Sequence, residues 1–154
     1  MSGRRRLALW VLALAIAIVG EAGFLVSGVA PFGENMAAAI ALDGAVGFVT
    51  MSAGIVTWSR RPENRIGPLL FAAGAAWSLT GVYAYGVPSY LFGAPGDTHW
   101  SEALAVVGSV LLPVHYAIML HLLLAYPEGV LHSRLERALV FGVYGLVEIG
   151  RAHV

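Results

Sequence analysis

Long apolar runs, separated by short turns that are alternately arginine-bearing and acidic, set the pattern of this chain. Four runs, residues 7–29, 36–58, 68–87 and 103–125, each carry at most one or two ionisable groups. A bilayer core of roughly 30 Å takes about 20 helical residues to cross, so each run is long enough. The runs are Ala-rich and lack period-two alternation, which argues against strands. A fifth run, residues 138–147, is about half the length a span requires. The expected fold is an all-α, polytopic transmembrane helical bundle of four full spans plus a truncated fifth helix, all within residues 1–147.

The arginines orient it. Arg4, Arg5 and Arg6 precede the first run, Arg60, Arg61 and Arg65 lie between the second and third, and Arg134 and Arg137 follow the fourth. The opposite turns carry Glu34, Asp97 and Glu102 and no Lys or Arg. Basic residues stay on the cytoplasmic side, so the expectation is a multi-pass protein of the inner (plasma) membrane with a cytoplasmic amino terminus. In a rival interpretation residues 1–30 are a cleaved signal, because a basic segment precedes an apolar run with small residues at its end. The run is long enough to span, and the later helices keep their orientation either way.

Composition agrees. Residues of the AVILMFWYC set make up 58% of 154 residues, charged residues 12%, and mean hydropathy is +0.77. That leaves too little polar surface to cover a water-soluble globule, and the lipid bilayer is the expected surrounding. Nine basic residues balance nine acidic ones, so nothing points to nucleic acid. Cysteine is absent, excluding disulfides and thiolate chemistry. No phosphate-binding loop, dinucleotide fingerprint, HExxH or GxSxG occurs, so no catalytic residue and no cofactor is expected in this chain.

Ionisable groups inside spans cost roughly 2.5–3.5 kcal/mol on insertion scales, so each needs a reason. Glu21 and Asp43 lie a few residues outward of the middles of their oppositely directed runs, hence at similar depth. His115 is near the middle of the fourth run, and Tyr83 is in the outer part of the third. By depth, Glu21, Asp43, Tyr83 and His115 can form a pocket for a small ligand or a proton, with at least one carboxyl uncharged. The plainer alternative is hydrogen bonding between helices that holds the bundle. No metal is expected, because the ligands would come from separate helices without local spacing. His121, six residues after His115, faces elsewhere.

Gly67, Gly74 and Gly81 recur every seven residues, a stripe on which a neighbouring backbone can approach. Trp10, Trp58 and Trp100 suit the membrane interfaces, whereas mid-span Trp77 suits packing. Pro113 should kink the fourth helix. The hydroxyls of Thr50, Ser52, Thr57, Ser78, Thr80 and Ser109 should bond backbone carbonyls. Beyond the fourth run, Tyr126-Pro127-Glu128-Gly129 predicts a turn, and Ser133 with Glu136 has capping-box spacing. The last six residues, Ile149-Gly150-Arg151-Ala152-His153-Val154, resemble the translation of a common sequencing-adapter oligonucleotide. Residues 148–154 are therefore expected to be an artefactual tail, with a genuine short amphipathic tail as the alternative.

The segment Arg61-Pro62-Glu63-Asn64-Arg65-Ile66-Gly67-Pro68-Leu69-Leu70 resembles an Arg-Pro-x-Asn-x-Ile-Gly-x-Leu-Leu junction of many actinobacterial membrane proteins. Tyr126-Pro127-Glu128-Gly129-Val130-Leu131-His132-Ser133-Arg134 resembles a turn downstream in the same proteins. Val130, His132 and Pro68 depart from the residues frequent there. Together the two segments resemble the multi-span amino-terminal region of actinobacterial two-component sensor histidine kinases. The resemblance implies a membrane input region of a homodimeric kinase that signals to a response regulator. The phosphoacceptor histidine and the ATP- and Mg-binding part would lie beyond this chain. Arg60, Arg61 and Arg65 would then face anionic lipid heads. A fragment of a small transporter or permease is the alternative, supported by Asp43, His115 and Pro113. An enzyme using the intramembrane carboxylates ranks below both.

Overall fold

The computed structural model describes residues 3–27, 35–82 and 98–151. Within them the regular elements are all helical: α1 (Gly3–Ser27), α2 (Met36–Arg60), α3 (Ile66–Leu79) with a 3-10 turn (Thr80–Val82), α4 (Thr98–Ala125) and α5 (Arg134–Arg151). Three helical stretches are long and apolar enough to cross a membrane: Gly3–Leu25, Met36–Arg60 and Val106–Ala125. The third expected span is shorter among the described residues. Its helix and 3-10 turn, Ile66–Val82, extend about 25 Å at helical rise, and positions 83–87 lie outside the described residues. The four-span expectation is thus met in three helices, with α3 a shorter apolar fourth.

Local chemistry explains the helix ends. Asn35 caps α2, its Oδ1 accepting the Ala38 amide at 3.1 Å. α2 stops at Arg60 because Pro62 has no amide to donate and pushes Arg61 out of helical geometry, to φ −135° and ψ 77°. The expected capping box starts α5. The Glu136 amide donates to Ser133 Oγ at 3.0 Å, while Glu136 Oε2 accepts the amides of Ser133 (3.0 Å) and His132 (2.7 Å). α5 is longer than the apolar run 138–147, because the capped turn precedes it and helix continues through Glu148 to Arg151.

From α1 to α4, consecutive helices run antiparallel. Trp10 lies beside Phe48, with ring centroids 6.1 Å apart, and Glu21 lies over Gly44, so Arg4–Arg6 and Arg60 share one end. The glycine stripe behaves as its spacing predicts. A Cβ on Gly74 would stand 2.7 Å from the Gly47 carbonyl oxygen and the Met51 amide, so α2 and α3 meet backbone to backbone. One cluster joins Ala13 and Ala17 of α1 to Met51 and Ile55 of α2. A second joins Ile66 and Ala73 of α3 to Ile118 and Leu122 of α4, with Tyr144 of α5 against it. The outward surface stays apolar: Leu7, Val11, Leu25, Val49 and Leu123 are each at least 60% exposed. Such a surface suits lipid.

Candidate functional site

Polar side chains meet where α1, α2, α3 and α4 come together. Glu21 projects from α1 onto Gly44 of α2, where an added Cβ would stand 3.2 Å from Glu21 Cγ, Cδ and Oε1. Glycine at 44 therefore makes the room the carboxyl occupies. The neighbouring Asp43 is 3% exposed. The two carboxyl groups are near neighbours, close enough for each to feel the other's charge. Both oxygens of Glu21 and Oδ2 of Asp43 are buried and find no hydrogen-bond partner among the described residues. Glu21 also stands in an open groove of about 340 Å³ between α1 and α2, with Leu14, Ile18 and Phe48 among its apolar walls.

Trp77 extends this pair across α3. Its indole N–H donates to the main-chain carbonyl of Asp43 at 3.2 Å, and its ring packs on the His115 imidazole at 5.1 Å between centroids. His115 Nδ1 lies 2.9 Å from the Ala73 carbonyl oxygen. A carbonyl only accepts, so Nδ1 carries the proton and Nε2 is the nitrogen left to accept one. Ser78 follows Trp77 and is fully buried, its Oγ against Gly47 of α2 and its carbonyl against Gly20 of α1.

Of the four residues expected to gather, the structure sets Glu21 beside Asp43, while His115 packs on the Trp77 ring, whose N–H bonds the Asp43 main chain. Tyr83 lies outside the described residues. Trp77 and Ser78 differ from their expected roles. Trp77 is a hydrogen-bonding link as well as packing, and the signal was available, because a mid-span indole N–H must find an acceptor in lipid. Ser78 Oγ bonds no carbonyl, since Gly47 opens a slot on α2 that receives it. Thr50, Ser52, Thr80 and Ser109 do bond carbonyls three or four residues back. No three acidic or histidine side chains converge to hold a metal among the described residues.

At the arginine-bearing end, the two turns dock on each other. Asn64 Nδ2 donates to the Pro127 carbonyl at 3.1 Å, while Asn64 Oδ1 accepts the Ile66 amide at 2.8 Å and so starts α3. Gly129, at φ +76°, lies against Asn64, and its amide donates to the Ala125 carbonyl at 2.7 Å. Arg60 and Arg61 border a cleft between α2, α3 and Tyr126. Arg65 does not line that cleft.

No protein-family model matches the chain, and no match was found among curated proteins or solved structures.

Proposed function

We propose that this chain is the membrane-embedded input and anchoring region of a sensor histidine kinase, with the catalytic part on a segment beyond it. It lies in the plasma membrane as a multi-pass bundle, amino terminus and arginine-bearing turns toward the cytoplasm. Its partners are the bilayer, a second copy in the intact parent, and a response regulator. The observation that carries this reading is the Asn64 clasp. The two turns that resemble the kinase input regions are one structural unit, tying the ends of α3 and α4 directly ahead of α5. A shift of α4 relative to α3 therefore acts on the turn that leads toward an output.

Glu21, Asp43 and His115 form the polar input, taking up a small ligand or a proton within the bundle. The test is the uninterrupted gene read past the Val147 codon. A phosphoacceptor helix and an ATPase domain are expected. In that parent, Asp43→Asn or His115→Ala should change the stimulus dependence of autophosphorylation, and unchanged signalling removes the polar input from the proposal.

A transporter or permease fragment is the second reading. The buried acid pair favours it, because intramembrane carboxyls without a cation are a common element of proton-coupled carriers. Inverted repeats of these spans in the full gene would decide for it.

A further inference from the structure

We infer that the cleft at the arginine-bearing end, between α2, α3 and the turn after α4, is a binding site for one anionic phospholipid. The cleft holds about 340 Å³. Arg60 and Arg61 border its mouth, and Val56, Ile66 and Leu70 form an apolar wall leading from them toward the span. Tyr126, 72% exposed, flanks the other side.

Charge and shape select the occupant together. Arg60 and Arg61 are exposed, and neither forms an ion pair with a carboxylate among the described residues. Two guanidinium groups on adjacent residues can hold a phosphodiester by paired, charge-assisted hydrogen bonds. A free phosphate would use only this polar rim and leave the apolar wall bare. A zwitterionic lipid would bring its own cation to the arginines. A phospholipid of net negative charge satisfies both parts, with its headgroup on Arg60 and Arg61 and the start of an acyl chain along Val56 and Leu70. The arginine alternation places this end at the leaflet where anionic lipids concentrate. Arg65 has no part in the site, since it does not line the cleft.

The test uses the full chain in neutral detergent, with phosphatidylglycerol or phosphatidylcholine added and retained lipid counted by native mass spectrometry. One phosphatidylglycerol per chain should survive release from the micelle, and phosphatidylcholine should not. Arg60→Gln with Arg61→Gln should lower retention by roughly tenfold, whereas glutamine at Arg4, Arg5 and Arg6 should leave it unchanged. Val56→Trp, which fills the cleft and keeps both arginines, should lower it as far. Excess inorganic phosphate should not displace the lipid. Equal retention of both lipids, retention that survives the Arg60/Arg61 change or the Val56→Trp change, or displacement by inorganic phosphate would overturn the site. None of these outcomes depends on the nature of an output domain, so the lipid site and the kinase proposal stand or fall separately.

Discussion

Asn64 reaches across 63 residues of sequence to hold the carbonyl of Pro127 at 3.1 Å, while its other amide atom fixes the first turn of α3. One side chain thus serves two helices. Gly129 completes the contact because its positive φ and missing Cβ let the turn sit on Asn64.

Asn64→Ala should therefore lower stability by about 1–2 kcal/mol, since an exposed hydrogen bond to Pro127 and a part-buried one from Ile66 are lost together. Asn64→Asp keeps the acceptor for Ile66 and loses the donor to Pro127, so it should fall between Ala and wild type. Gly129→Ala should cost about 1–2 kcal/mol from backbone strain alone, with more from the clash against Asn64. Thermal unfolding in detergent checks the order.

Among the described residues, Glu21 and Asp43 have no cation to lose. Every arginine near α1–α3 lies at the other end of the bundle, and the chain has no lysine. Asp43→Asn should leave the melting temperature within the shift expected for about 1 kcal/mol, or raise it, because the amide brings its own donor to Glu21. A structural salt bridge would behave otherwise, losing about 3–5 kcal/mol when one partner is removed. A fall of that size for Asp43→Asn would show that a cation holds the pair.

Gly20 and Gly142 are a matched pair of helical glycines. A Cβ at Gly20 would run into the Ser78 carbonyl, which is backbone and cannot swing away, whereas nothing lies within 4 Å of a Cβ at Gly142. Gly20→Ala should separate α1 from α3 and cost about 1–3 kcal/mol or more. Gly142→Ala should stabilise α5 by about 1 kcal/mol through helix propensity. Circular dichroism melts of the two variants should move in opposite directions.

Acid should loosen the start of α5. The amides of Ser133 and His132 donate to the Glu136 carboxylate and hold its pKa below the ordinary value of 4.5. A depressed folded pKa means that the contribution is complete above the unfolded value and is lost as pH falls through the folded one. The Ser133 and His132 amide resonances should therefore titrate together, at a pH below the ordinary glutamate range. Glu136→Gln should abolish that titration while retaining most of α5.

Run length made α2 and α4 legible in the sequence, and Ser133 with Glu136 marked where α5 begins. The start of α1 was less so. Arg4–Arg6 are helical, because polarity bounds the lipid-facing stretch and leaves the helix free to run on. Depth along each span correctly put Glu21 and Asp43 at one level. Which way each faces was not legible, since rotation about a helix axis is set by its neighbours. Gly44 under Glu21, and Trp77 between Asp43 and His115, become informative only once the helices are packed.

The adjacency of Glu21 and Asp43 bears on how the polypeptide enters the bilayer. When α1 leaves the translocon alone, its carboxyl faces hydrocarbon with no companion. Once α2 has been synthesised, the two acids can partition as a couple. Lateral release of α1 and α2 as a hairpin is then easier than release of either helix singly, and the short segment between them, residues 28–35, keeps the two together until it happens.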